Sequence, residues 1–143
     1  MRDHPTIEKN LNRVNKLVDD SVQIANDGAP IFKWLEISPI DVCNRKCTFC
    51  PKSDPSVAPD QPSAIMAPSL FHKIADELRK IEYQGTVMLA GYGEPLLNKH
   101  IIEMVEAFAP ICNTEITTNG DPLTVKKIKE LVKAGVHKIV VSL

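Results

Sequence analysis

The sequence predicts an α/β fold, a parallel (β/α) partial TIM-type barrel of about four strand–helix units preceded by an N-terminal helix. Three observations carry this. Short apolar runs of four to six residues alternate with amphipathic stretches of ten to fifteen, the pattern of βαβ units on a parallel sheet. The short runs end in Cys, Gly, Asn and Ser, at the carboxyl edge where parallel sheets bind ligands. A closed eight-unit barrel takes roughly 250 residues. This chain has 143, so four units make at most half of one, and the sequence reads as a piece of a longer protein.

Residues 1–30 are expected to form an amphipathic helix and linker, and residues 31–143 a truncated core domain. From about Thr6 to Asn26, Ile7, Leu11, Val14, Val18, Val22 and Ala25 recur at steps of three and four. Pro5 suits a first turn, and Asp27-Gly28-Ala29-Pro30 is a stop signal. Ile31 to Ile40 reads as the first strand. Pro51 to Pro68 carries five prolines and predicts a long irregular loop. A second helix starts at Pro68, with Leu70, Phe71, Ile74, Leu78 and Ile81 on one face. Thr86 to Ala90 is the next strand, and a third helix carries Ile101, Ile102, Val105 and Phe108 until Pro110. Thr114 to Thr118 is a strand, and Asn119-Gly120-Asp121-Pro122 a turn. The fourth helix has Val125, Ile128, Leu131 and Val132 facing inward and Gly135 as C-cap. Lys138 to Leu143 is the last strand.

Composition excludes several classes. A formal net charge of −1 gives no electrostatic reason to expect nucleic acid or an anionic membrane as partner. No apolar run approaches the roughly 20 residues that span a bilayer. Met1-Arg2-Asp3-His4-Pro5 lacks the layout of a signal peptide. Four cysteines, three of them within eight residues, do not resemble a disulfide framework, so a reducing cytoplasm is the expected setting. No glycine-rich phosphate fingerprint follows the first strand.

The chemistry concentrates in Cys43-Asn44-Arg45-Lys46-Cys47-Thr48-Phe49-Cys50, just past the first strand. Thiolates are soft ligands that select iron–sulfur clusters, zinc or cuprous copper. Topology brings this loop together with Gly91-Tyr92-Gly93-Glu94, with Thr117-Thr118-Asn119-Gly120 and with Ser142 on one rim. Cys112 precedes the third of these strands and belongs at the opposite rim, as a small buried hydrophobe rather than a ligand. His72 reads as a surface histidine, and Arg45 and Lys46 as solvated charges. Three ligands with an open fourth position favour a cluster that binds a cofactor at its free iron. A zinc-holding interaction module and an iron–sulfur electron carrier that recruits Cys112 are the alternatives.

Cys-x-x-x-Cys-x-x-Cys with Phe49 before the last cysteine resembles the signature of the radical S-adenosylmethionine enzymes. Gly93-Glu94-Pro95-Leu96-Leu97 is similar to that family's Gly-Gly-Glu-Pro segment, with Tyr92 where the first glycine is usual. The Thr-Asn-Gly turn and Ser142 are similar to the family pattern as well, so the resemblance runs from about Ile31 to Leu143. It implies a 4Fe-4S cluster held by Cys43, Cys47 and Cys50, with S-adenosyl-L-methionine on the fourth iron. The backbone around Tyr92, Gly93 and Glu94 would meet the methionine amino group, Phe49 would border the adenine, and Asn119 and Ser142 would lie near the ribose or carboxylate. An electron from a reductant such as flavodoxin or ferredoxin would cleave the sulfonium and leave a 5′-deoxyadenosyl radical. That radical would abstract hydrogen from a substrate, a small molecule or a peptide.

Overall fold

The computed structural model describes residues 22–54, 56 and 64–142. Internal packing divides the chain into two units, Met1–Phe32 and Lys33–Leu143. In the first, β1 (Gln23–Ile24) pairs antiparallel with β2 (Pro30–Ile31), Gln23 opposite Ile31. Asp27-Gly28 is the cause. Gly28 takes φ 84°, the Asp27 carboxylate accepts the Ala29 N–H at 3.0 Å, and the chain reverses as Asp-Gly turns do. The expected helix therefore does not reach Asn26, and the rest of it, from Thr6 to Ser21, lies outside the described residues.

The second unit is a four-stranded parallel sheet in the order β3-β4-β5-β6. Its strands are β3 (Trp34–Ile37), β4 (Thr86–Leu89), β5 (Asn113–Thr118) and β6 (Lys138–Val141). The crossovers contain α1 (Pro68–Lys80), α2 (Ile101–Phe108) and α3 (Val125–Ala134), and α2 packs between the other two. The expected run from Ile31 to Ile40 is thus two pieces. Ile31 belongs to the hairpin, and only Trp34–Ile37 joins the parallel sheet.

Registers follow the period-two alternation of a strand. Ile37, Leu89, Ile116 and Ile139 lie in one row across the sheet. Val87, Leu89 and Ile116 are fully buried, together with Phe71 of α1, Met104, Val105 and Phe108 of α2, and Leu131 of α3. On the opposite face Glu115 is buried beside Lys138, their charged atoms 2.8 Å apart. Helix limits have local causes. Pro68 occupies the first turn of α1, Thr124 Oγ1 caps α3 by accepting the Lys127 N–H at 3.1 Å, and Gly135 ends α3 at φ 96°.

One expectation about α3 fails. Leu131 is buried, but Val125 and Val132 are 71% and 64% exposed, and Ile128 is 38% exposed. The apolar stripe is wider than the line along which α3 meets α2. Among the described residues of this unit, nothing covers the remainder.

Candidate functional site

The base of the cysteine loop, residues 38–42, is braced from several directions. The Asn98 side-chain amide, fully buried, donates to the Pro39 carbonyl at 2.8 Å. Ile40 bridges antiparallel to Ile65, Met66 N–H donates to Pro39 O, and the Asp41 carboxylate accepts the Ala64 N–H. Lys52 Nζ donates to the Asp41 carbonyl. The prolines past Cys50 therefore do not form a wholly irregular loop. Pro51–Ser53 is a turn of 3₁₀-helix, and the segment around Ile65 pairs back on the base of the cysteine loop; residues 57–63 lie outside the described residues.

The turn after β4 fits tightly against this base. A Cβ at Gly91, whose φ is 129°, would stand 2.5 Å from Ser38 Oγ. A Cβ at Gly93 would run into the Ile40 carbonyl, which is main chain and cannot swing aside. The close approach lets Glu94 N–H donate to Val42 O at 2.8 Å. The Glu94 carboxylate points inward, with the residue 2% exposed. One oxygen accepts Leu96 N–H at 3.0 Å and Thr118 Oγ1–H at 2.6 Å, and the other accepts Asn119 N–H at 2.8 Å. Thr118 Oγ1 in turn accepts from Gly120 N–H at 3.1 Å.

Asn119 then reaches the cysteine loop. Its side-chain amide donates to Asn44 Oδ1 at 2.8 Å and lies 3.7 Å from Cys43 Sγ. Arg45 N–H points at the same sulfur from 3.4 Å. Arg45 is not a solvated charge. Its Nε and Nη2 grip the two oxygens of Asp121 at 2.8 and 2.5 Å, and Asn44 Nδ2 adds a third bond to that carboxylate at 2.9 Å. The hydrogen bond from Arg45 holds the Asp121 carboxyl below the usual carboxylate range. The same bond raises Arg45, and the nearby Cys47 and Cys43 sulfurs reinforce it.

Cys43, Cys47 and Cys50 are free thiols of intermediate exposure. Cys50 N–H donates to the Cys47 carbonyl at 3.0 Å, which closes the second half of the loop as a turn. Phe49 and Tyr92 are 82% and 64% exposed. Ser142 is exposed just past β6, its N–H bound to Thr118 O at 2.8 Å. Among the described residues, no group of three or more His, Cys, Asp or Glu side chains forms a site for a single metal ion. A cluster has no need of one, because its ligands sit on separate irons rather than about 2.3 Å from a common centre.

Cys112 lies before the first residue of β5, whereas Asn119 at the other end touches Cys43. Six residues at about 3.3 Å each separate those ends. Cys112 is only partly buried, less than expected, and burial pushes its thiol up. His72 sits on the surface, with Nε2 3.0 Å from a Glu103 oxygen. Sequence reading places Thr118 on the rim but gives no role to Asn44, Asn98 or Asp121 and takes Arg45 for a solvated charge. Asp121 follows Asn-Gly in a turn already marked as part of the rim, and that position was the one available signal.

Comparison with known proteins supplies the family. The model of the radical SAM superfamily matches residues 37–143. An S-adenosyl-L-methionine-dependent 2-deoxy-scyllo-inosamine dehydrogenase from Niallia circulans is 31% identical over 115 residues, which are 78% of this chain and 45% of that protein. A GTP 3',8-cyclase from Mannheimia succiniciproducens is 36% identical over 120 residues, 78% of this chain and 33% of that one. The crystal structure of BtrN in complex with AdoMet and 2-DOIA superposes with a TM-score of 0.70 at 32% identity, over 78% of this chain and 45% of that one. The chain thus spans half or less of the length of these relatives. With the cysteine loop at the carboxyl edge of a parallel sheet and the family model running from the last residue of β3 through β4, β5 and β6, this chain belongs to the radical SAM superfamily.

Proposed function

We propose that this chain is the N-terminal part of the core of a radical S-adenosylmethionine enzyme. In this reading Cys43, Cys47 and Cys50 each hold one iron of a 4Fe-4S cluster, and the fourth iron takes the amino and carboxylate groups of S-adenosyl-L-methionine. The observation that carries the reading is a loop with three free thiols whose base packs on the Gly91–Glu94 turn and whose Cys43 sulfur meets Asn119. The donor set suits the group. Thiolates are the ligands that iron–sulfur clusters select, and N–H groups aimed at Cys43 sulfur are of the kind that tune a cluster. When bound, the cluster supplies the electron that splits the sulfonium into methionine and a 5′-deoxyadenosyl radical, which abstracts hydrogen from the substrate.

The remaining work falls to this chain. The Glu94 carboxylate is committed inward, so the turn offers an ammonium its main-chain carbonyls at Tyr92 and Gly93. Phe49, open to solvent, provides a face for the adenine. Asn119 and Ser142 provide amide and hydroxyl groups for the ribose or carboxylate. The substrate, a small molecule or peptide, and a one-electron donor of the flavodoxin or ferredoxin type complete the system, and the cytoplasm is the setting that keeps the thiols reduced. Among the described residues, no helix is long and apolar enough to cross a membrane.

Anaerobic reconstitution with iron and sulfide tests the reading. A brown protein whose spectrum shifts on adding S-adenosyl-L-methionine supports it, and so does retention of the cluster in Cys112→Ala. Tight zinc binding without iron uptake would favour an interaction module, and loss of the cluster in Cys112→Ala an electron carrier.

A further inference from the structure

We propose that the Arg45–Asp121 pair is a latch that fixes the cysteine loop to the turn after β5, with Asp121 a positioning residue for the iron–sulfur centre. The proposal rests on the cluster reading above and adds to it a residue outside the three-cysteine motif. The loop from Cys43 to Cys47 leaves the braced base after Val42, and few contacts of its own would hold it. Two of its three middle residues, Asn44 and Arg45, are tied instead to one carboxylate 77 and 76 residues away. Arg45 contributes a two-pronged grip and Asn44 a third bond, while Asn119 holds Asn44 from the same turn. A planar guanidinium on a carboxylate is the ion-pair geometry that fixes orientation as well as distance.

The turn that carries Asp121 is itself immobilised. Asn119 Oδ1 accepts Asp121 N–H at 3.0 Å, and Asn119 N–H is bound to the buried Glu94 carboxylate. A continuous chain of hydrogen bonds therefore runs from the sheet interior through Glu94, Asn119 and Asp121 to Arg45. The latch also sets charge. Arg45 is a permanent cation two residues from both Cys43 and Cys47, and Asp121 neutralises it. Removing the carboxylate leaves a bare cation beside the thiolates, and removing the cation leaves a bare anion.

These two changes separate position from charge. Asp121→Asn and Arg45→Gln both release the latch. In the cluster-free protein, hydrogen exchange of the amides in residues 43–47 should speed up about threefold to tenfold in each variant, with the core of α2 unchanged. In the reconstituted protein, the reduction potential followed by electron paramagnetic resonance should rise in Asp121→Asn and fall in Arg45→Gln, because added positive charge favours the reduced cluster. Both results together support the latch. Unchanged exchange in both variants would overturn it, and so would potentials that stay fixed or move in one direction. A wild-type protein that takes up no iron, while its loop exchange still depends on Asp121, would sink the cluster reading instead.

Discussion

Replacing Glu94 by Gln probes the joint between core and site with a change of one atom. The carboxylate accepts three hydrogen bonds in a setting only 2% exposed. Gln keeps the shape but turns one oxygen into an NH₂ group, which must face Asn119 N–H or the Leu96 and Thr118 donors. Thr118 can compensate only in part: its hydroxyl has a second lone pair beside the Gly120 N–H bond, but the Leu96 N–H on the same oxygen cannot reverse its direction. Hydrogen bonds to a charged group are worth about 1.5–3 kcal/mol each, and a buried donor left unpaired costs about 1–3 kcal/mol. Losing one bond and opposing two donors should cost about 3 kcal/mol in all. For a unit of some 110 residues the entropy of unfolding is roughly 0.2 kcal/mol/K, so the melting temperature should fall by roughly 10–15 °C. Thermal unfolding by circular dichroism on the cluster-free protein measures this. A shift under about 2 °C would refute the view that the Glu94 side chain is spent on the fold.

Smaller perturbations test the other joints. Thr124→Ala removes the cap that accepts Lys127 N–H and should cost about 1 kcal/mol, read as a lower urea midpoint with unchanged m-value. Gly93→Ala forces a methyl into the Ile40 carbonyl; it should cost about 1–3 kcal/mol and reduce the iron retained after reconstitution. In Tyr92→Phe, Tyr83 is the remaining tyrosine, its phenol pushed up to about 12 mainly by burial. Absorbance at 295 nm should then titrate near that value. Because the folded state disfavours the phenolate, stability should be full below about pH 10 and decline as pH rises from there. For Asp121 the sign is opposite, since its folded-state value is lowered from 3.8. The latch contributes above that value and is lost as pH falls through the lower one, so Asp121→Asn should flatten the acid side of the stability profile.

What the sequence revealed depended on how local the cause was. The three-cysteine loop is a spacing within eight residues, and it is legible wherever it occurs. Pro68, Thr124 and Gly135 act within one turn of their own positions, so α1 and α3 began and ended close to where expected. Asp27-Gly28 was read as a stop, but the same dipeptide also turns a hairpin, and a helical period in residues further upstream hid this. The inward face of α3 was misjudged because periodicity gives the width of an apolar stripe and not the width of its neighbour. The Arg45–Asp121 pair was out of reach. Nothing within either segment distinguishes a paired charge from a solvated one when the partner is 76 residues away.

Asn119 is attached twice, and by different parts of itself. Its main-chain N–H is fastened to Glu94, while its side chain reaches Asn44 and Cys43. Every residue except proline carries that N–H, so the anchor on Glu94 is indifferent to the side chain above it, and only the acceptor for Asp121 N–H must be supplied by that side chain. Exchanging Asn119 for Ser, whose hydroxyl can still accept Asp121 N–H, should alter what surrounds the sulfur while the turn keeps its place. A protein built this way can revise the surroundings of a reactive centre by single substitutions without renegotiating its architecture.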